Sequence, residues 1–349
     1  MSTPALAPLR LGGCLRGALL WGALLSLAGC QSGQQKRIEA VYGPTESILE
    51  VVAVLRRHVD DDTYRFAPAP DFTGRNVYRS SLLRLENLER VHADALRTGH
   101  MDAVIQFAKA RSLERLRAFD LAAEHYRSVA EQSATLRHEA IRSARTCEEI
   151  HSARQLGFEL RDPLASPTPS NEQAEQDGPS PSRGQGPLPL DPDAAIASLD
   201  ERAARLSALF ELEVERHYAF VIREELEHND VVRAKYFVAM RHALPDGQIR
   251  AVAELQRLIV RHAASKNLNR HMLDLADLYA TLADEYTQAR APQSLNFDPA
   301  KFQELVDAAS QIYQSVATED GTLEKLEASR RFEAFLAFTL KVDRDRFTR

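Results

Sequence analysis

The chain has 349 residues, of which 44% are hydrophobic and 27% charged, and a formal net charge of −6 at pH 7. That length suffices for two ordinary domains or one long helical array. The basic residues are interleaved with acids rather than gathered in runs, which argues against nucleic acid as a partner.

Residues 1–16 carry Arg10 and Arg16 and no acid, and residues 17–29 are small or apolar. A positive head, a short apolar run and small residues at its end are the parts of a secretory signal peptide. The run is too short to span a bilayer, which needs about 20 apolar residues. It ends in Leu27-Ala28-Gly29-Cys30. This resembles the lipobox of bacterial lipoproteins. The resemblance implies cleavage before Cys30 and lipidation of Cys30 by a diacylglycerol and an N-acyl group. Two or more acyl chains give stable anchoring, whereas one gives only marginal binding. By the same resemblance, Gln31, where an inner-membrane lipoprotein would carry Asp, points to the outer membrane, with the body facing the periplasm. Residues 30–43 then serve as a polar tether. Removal of residues 1–29 takes away Arg10 and Arg16 and moves the formal net charge from −6 to −8. Cys14 leaves with the signal and Cys30 is lipidated. Cys147 is then alone, no intrachain disulfide forms, and stability must come from an apolar core.

The body is expected to be all-α, with a helical region over 44–160, a Pro-rich linker over 161–192 and a second helical region over 193–345. Gly43-Pro44-Thr45 opens the first helix. Ser47 and Glu50 have capping-box spacing. Ile48, Val51, Val52, Leu55 and Val59 share a face, and the helix stops at Asp60-Asp61-Asp62. Residues 60–76 have no periodicity, and Pro68 and Pro70 exclude a helix. Tyr64, Phe66, Phe72 and Arg75 on this stretch form a candidate partner-binding loop, set against a loop that only packs its aromatics over helix ends. The three aspartates lack the ordered ligand spacing of a calcium loop.

Amphipathic helices then follow in series. One spans Tyr78 to Leu96, with Leu82, Leu85, Leu88, Val91 and Ala95 inward. Another spans His100 to Arg117 on Val104, Ile105, Ala108, Leu113 and Leu116. A third spans Leu121 to Glu131. A fourth, after Ser133, uses Leu136, Ala140, Ile141, Ala144, Cys147 and Ile150. Within Ala103–Leu136, Ala110 and Leu113 form a small-then-large pair, and Ala122, Tyr126 and Val129 a small-aromatic-small ladder, with Phe119-Asp120 at the turn between. This resembles one tetratricopeptide-type repeat, in which small residues let two antiparallel helices approach. Ala144 and Cys147 repeat the first pair 34 residues on. Gln106 and Ala134 stand where the usual Trp and Pro would be, and 34 residues back the register falls on Asn76, so the likeness covers one repeat and half of a second. It implies a helical-hairpin array. A non-repeat helical bundle stands beside it.

Residues 162–192 hold eight of the sixteen prolines, a composition that cannot bury enough apolar surface to order itself. It is either an insertion in one helical body or a linker between two. Asp191 caps a restart with Pro192 at the first helical position. One long helix is expected from 193 to about Glu227 on Ile196, Leu199, Ala203, Leu206, Phe210, Tyr218, Val221 and Ile222. Asn229 caps the next, which ends at Leu244-Pro245-Asp246-Gly247. Further helices are expected over Gln248–Ala264, Leu268–Ala289, Pro299–Ala317 and Thr322–Val342. A second aromatic-bearing loop, through Phe297, precedes Pro299. Phe332, Phe335 and Phe338 are spaced for a core. No stretch reads as a strand.

No phosphate-binding Gly loop, Gly-x-Ser-x-Gly or His-Glu-x-x-His occurs. No catalytic, cofactor-binding or metal residue is assigned, and Cys147 reads as a small hydrophobe. Glu-x-x-His occurs at Glu89/His92, Glu148/His151 and Glu225/His228, the last at an expected helix end. Two such pairs with two more carboxylates make the di-metal site of ferritin-like bundles. The expectation is a non-enzymatic, lipid-anchored helical scaffold that binds envelope proteins or peptides. The alternatives are a helical-bundle metalloprotein and a purely structural lipoprotein.

Overall fold

Residues 44–57, 77–98, 101–160, 191–216 and 218–347 are described by a computed structural model of the protein. Among them the only regular structure is helix. In chain order these are α1 (Pro44–Arg57), α2 (Val77–Thr98), α3 (Asp102–Arg115), α4 (Phe119–Gln132), α5 (Arg137–Arg154), α6 (Pro192–Glu213), α7 (Tyr218–Met240), α8 (Gly247–Arg261), α9 (Leu268–Ala289), α10 (Pro299–Thr318) and α11 (Leu323–Phe347). The all-α expectation holds. Asp191 caps α6 as its sequence position predicts, its Oδ1 accepting from the Asp193 N–H at 3.1 Å. Pro192 at the next position gives up an amide that has no helical partner there.

Neighbours in sequence are neighbours in space, and α3–α4, α4–α5, α6–α7, α7–α8, α9–α10 and α10–α11 pack along much of their length. The apolar core is a series of four clusters that hand over helices to one another. Ile48, Val51, Leu55, Tyr78, Leu85, Leu96 and Ile105 join α1, α2 and α3. The next runs from Ala110 on α3 to Ile222 on α7, so the helices before and after residues 161–190 share one apolar cluster. A third links α6 through α9, and a fourth α9 through α11. The described residues from Pro44 onward belong to one compact unit. Ala110, Leu113, Ala122, Tyr126, Val129, Ala144 and Cys147 are all buried. Ala at the contacts between α3, α4 and α5 lets those backbones approach closely.

Several sequence expectations are corrected. Ser47 is the fourth residue of α1 rather than its cap, and Glu50 pairs with Arg84 instead. On α2, Leu85 is buried and Leu82 and Leu88 are half-buried as the spacing predicts, whereas Val91 and Ala95 are exposed and Leu96 is buried instead. The change of face has a local cause: α2 is kinked at His92 (φ −122°, ψ 25°), so the periodicity set before it does not carry through to Ala95 and Leu96. Ile141 on α5 is also exposed. Phe119 opens α4 rather than sitting in the turn, and the turn is made by Arg117 in the left-handed region at φ 62°. The long helix expected over 193–227 is broken after Glu213, and α7 runs unbroken through Glu227 and Asn229. Asn229 is therefore no cap. It is buried inside α7, and its Nδ2 donates to the Leu199 carbonyl of α6 at 3.1 Å. Glu225 and His228 lie within a helix, not at its end.

Candidate functional site

The least extensive packing between consecutive helices from α3 to α11 is that between α5 and α6. They are pinned together at one end. Arg202 of α6 is 2% exposed, and its Nε donates to the Leu156 carbonyl at 2.7 Å. Its Nη2 reaches the carbonyls of Arg154 and Phe158 at 3.3 Å each, and its Nη1 bonds Glu159 at 3.0 Å. One guanidinium thus satisfies the carbonyl of Arg154 at the C-terminal end of α5, where a helix leaves carbonyls without partners, and those of Leu156 and Phe158 just beyond it. Gly157 completes the clamp. It sits at φ +75°, and a Cβ there would lie 2.9 Å from Leu199 Cδ2 and 3.2 Å from Arg202 Nη2. One turn further along α6, Arg205 Nη1 reaches Ser152 Oγ at 3.4 Å. Advancing along α6 therefore retreats along α5, and the two helices are antiparallel.

Beyond this clamp they enclose an open groove of about 700 Å³. Its α5 wall is His138, Ile141, Arg142, Arg145, Thr146 and Glu149. Its other wall is Arg205, Ala208, Leu209, Leu212 and Glu213 of α6, with Arg216 just past the helix end. The α5 wall follows the spacing i, i+3, i+4, i+7, i+8, i+11 and the α6 wall the same spacing through i+8, which is one stripe of an α-helix. Each stripe mixes apolar and basic side chains. Leu212 is 75% exposed and Ile141 49%. Four arginines and a histidine face two glutamates. One of these, Glu213, is buried and held by Arg216 at 3.2 Å, while Arg142 pairs with Glu139 outside the lining. Arg145 is exposed and makes no ion pair among the described residues. A locally basic trench is thus cut into a chain whose net charge is negative.

A polar belt runs across α7 and reaches the clamp end of α5 through Arg154. Glu225, 2% exposed, is gripped by Arg117 through Nε at 2.7 Å and Nη2 at 2.9 Å, with Arg154 Nε at 3.8 Å. Burial alone would raise its carboxyl, but the charges and hydrogen bonds of Arg117, with Arg154 behind, hold it down at about 2. Glu159, at the clamp, is likewise raised by burial and lowered further by its bond to His228 and the charge of Arg202, to about 2. Two residues beyond Glu225, and therefore on the other side of α7, Glu227 accepts from Ser265 Oγ at 2.5 Å and meets His271 Nε2 at 2.6 Å. Asp230 is met by His262 at 2.8 Å, Arg261 at 3.0 Å and Arg257 at 3.1 Å. Beneath the groove's α5 wall, Tyr126 and Tyr218 both donate to Glu114 Oε2 at 2.9 Å, and burial pushes the Tyr126, Tyr218 and Cys147 protons well up. Cys147 is thereby kept as a thiol, in keeping with a packing role.

Ser265, Glu227 and His271 have the residue types of a hydrolytic triad but not its wiring. A nucleophilic serine must hand its proton to the imidazole. Here the hydroxyl and the imidazole converge on the same carboxylate oxygen. The set ties the α8–α9 turn to α7.

The residues singled out from sequence fall elsewhere. Cys30, Tyr64, Phe66, Phe72 and Arg75 lie outside the described residues, as does most of the Pro-rich stretch, 161–190. The Glu-x-x-His glutamates each face a cation. Glu89 pairs with Lys109, Glu148 with Arg127 and Glu225 with Arg117. Among the described residues no group of three or more His, Cys, Asp or Glu side chains is placed to hold a metal, so no two of the pairs meet in one site. No described helix is long and apolar enough to cross a membrane. The groove residues Arg142, Arg145, Arg205 and Leu212 were not picked out by sequence reasoning. Their signal was present as two like-spaced stripes, mixing Arg with Leu or Ile, on the helices that flank the Pro-rich stretch. No protein-family model matches the chain, and no curated protein matches it.

Proposed function

We propose that this protein is a lipid-anchored helical scaffold of the bacterial cell envelope that holds a protein or peptide partner in the α5–α6 groove. The observation that carries the binding half is the groove itself, open beyond the clamp between two helices of a body whose other consecutive helices pack more extensively. The lipobox resemblance at Leu27–Cys30 supports the anchor, and Gln31 supports the outer membrane as its site. Hairpin packing of α3, α4 and α5, with Ala110, Ala122 and Ala144 at the contacts, is compatible with a tetratricopeptide-like start to the array. The mechanism is tethering: a bound partner is kept at the membrane at raised effective concentration, with no bond made or broken.

The test is fractionation joined to crosslinking in cells. Cys30→Ala should move the protein from the membrane to the soluble fraction. A photo-crosslinking residue at position 212 should capture a discrete partner from the anchored protein. Membrane association that persists in Cys30→Ala contradicts the anchor, and no capture from position 212 contradicts the scaffold.

A further inference from the structure

Resting on the scaffold reading, we propose that the occupant of the α5–α6 groove is an acidic amphipathic helix of a partner protein. Its apolar stripe would lie on Ile141, Leu209 and Leu212, and its carboxylates would meet Arg142, Arg145 and Arg205.

Length is the first argument. The α5 wall spans eleven helical steps, His138 to Glu149, and the α6 wall eight, Arg205 to Glu213, with Arg216 beyond it. At a rise of about 1.5 Å per residue the longer wall is about 16 Å, or three helical turns. The form of the occupant follows from the walls. Both are helices whose backbone amides and carbonyls are already paired within themselves, so they offer no edge to an extended peptide. A helix brings its own backbone bonds and needs only side-chain contacts. Two facing stripes of i, i+3, i+4, i+7 spacing present ridges between which the side chains of a third helix can seat.

Charge sets the sign. Arginines stand on both walls, so closing the groove on itself would bring like charges together. An occupant rich in Glu or Asp removes that repulsion and gives Arg145 a partner. Arginine suits the task because its planar fork bonds a carboxylate through two donors. The apolar content sets the amphipathic pattern, since Ile141 and Leu212 lose exposed surface only against an apolar stripe. The shape argues against a lipid surface as the ligand. A flat bilayer would meet the rims of a trench and leave its walls uncovered, whereas a rod fills it.

The probe is a small panel of designed peptides of about 18 residues, five turns, titrated into the full-length protein by fluorescence anisotropy. One set carries Leu at i, i+3, i+4 and i+7 with Glu elsewhere. The other keeps the Leu pattern with Lys in place of Glu. The Glu set should bind saturably, and the Lys set should not. Arg145→Glu with Arg205→Glu should weaken the Glu set at least tenfold, or about 1.4 kcal/mol, and should confer binding of the Lys set. Added salt should weaken the Glu set, as exposed charges are screened. Leu212→Asp, at an exposed position, should keep the parent's circular dichroism and should also abolish binding. Absence of saturable binding by the Glu set, equal binding of both sets, or indifference to the double charge reversal overturns the proposal. So does binding to phosphatidylglycerol vesicles that the double reversal abolishes while the Glu peptides stay unbound. The scaffold reading fails separately. If position 212 captures in cells a partner segment that is basic or uncharged, the scaffold stands and the acidic helix falls. If it captures nothing, both fall.

Discussion

The α5–α6 pair and the α9–α11 end of the molecule close their interhelical space in opposite ways. Around α9, α10 and α11 the gap is filled by a run of rings. Phe297 lies 5.5 Å from Tyr286 and 5.6 Å from Phe302, and Phe335 lies 6.1 Å from Tyr313 and 6.0 Å from Phe338. Between α5 and α6 there is a polar clamp at one end and arginine-lined space at the other. Rings bury area without regard to direction and pull helices together along their length. A guanidinium satisfies carbonyls at one point and leaves the rest of the interface free. One arrangement builds a wall, and the other builds a hinge-side with an opening. That difference is why the groove, rather than any part of the C-terminal end, is the candidate site.

The largest expected effect is on the ring-filled end. Phe335→Ala removes a buried ring, and should destabilise the protein by about 3–5 kcal/mol in urea unfolding, with faster amide exchange centred on α9–α11. Arg202→Ala strikes the other end. It strands three carbonyls and removes the cation facing Glu159, for a loss of about 3 kcal/mol. Its exchange should rise at α5 and α6 and stay near the parent's at α10 and α11. Equal loosening at both ends in either variant would erase the contrast.

Acid should separate the two regions without mutation. The Glu225 and Glu159 carboxyls are held at about 2 in the fold, below an unfolded value of about 4.3. Their contribution is therefore present above about pH 4.3 and is lost as pH falls from there towards 2. On α9–α11 the shifts oppose one another: burial raises the Asp274 and Asp277 carboxyls, so protonation relieves them, while the hydrogen bond of Arg270 holds Glu327 down and Arg241 holds Glu285 down against burial, so the net loss in acid is smaller there. Between pH 5 and pH 3, amide protection should fall first around α5, α6 and α7 and later around α9–α11. Protection lost first at α9–α11 would contradict the assignment.

Smaller effects sharpen the clamp and the groove. Gly157→Ala forces a side chain into the left-handed region and against Leu199, and should cost about 1–2 kcal/mol. Leu212→Asp should change stability by no more than about 0.5 kcal/mol, because nothing covers that side chain. A large loss of stability would mean that Leu212 is a core residue, and that the groove is closed in solution.

Much of the fold was legible because helical periodicity is local. Tyr126, Cys147 and Leu199 are core residues on spacing alone, and the Asp191-Pro192 start follows from backbone chemistry at a helix end. What was hidden depended on residues far apart in sequence. Glu225 can sit inside α7 only because Arg117, 108 positions earlier, is there to meet it. Without that partner, Glu225, His228 and Asn229 read as the frayed end of one helix and the cap of the next. Ile141 misled for a related reason. Its spacing marks a stripe, but only the placement of α6 decides whether the stripe is covered. The groove is an absence of packing between two helices, and periodicity reports which residues share a face, not which faces meet.

The most direct test of the account is crosslinking from two exposed leucines in the living cell, with photo-reactive residues at Leu212 in the groove and at Leu340 on α11. The account predicts one discrete protein adduct from position 212 that disappears in the Arg145→Glu, Arg205→Glu background, and none from position 340. Matching adducts from both positions, or an adduct at 212 that survives the charge reversal, would contradict the groove as the place where this protein holds its partner.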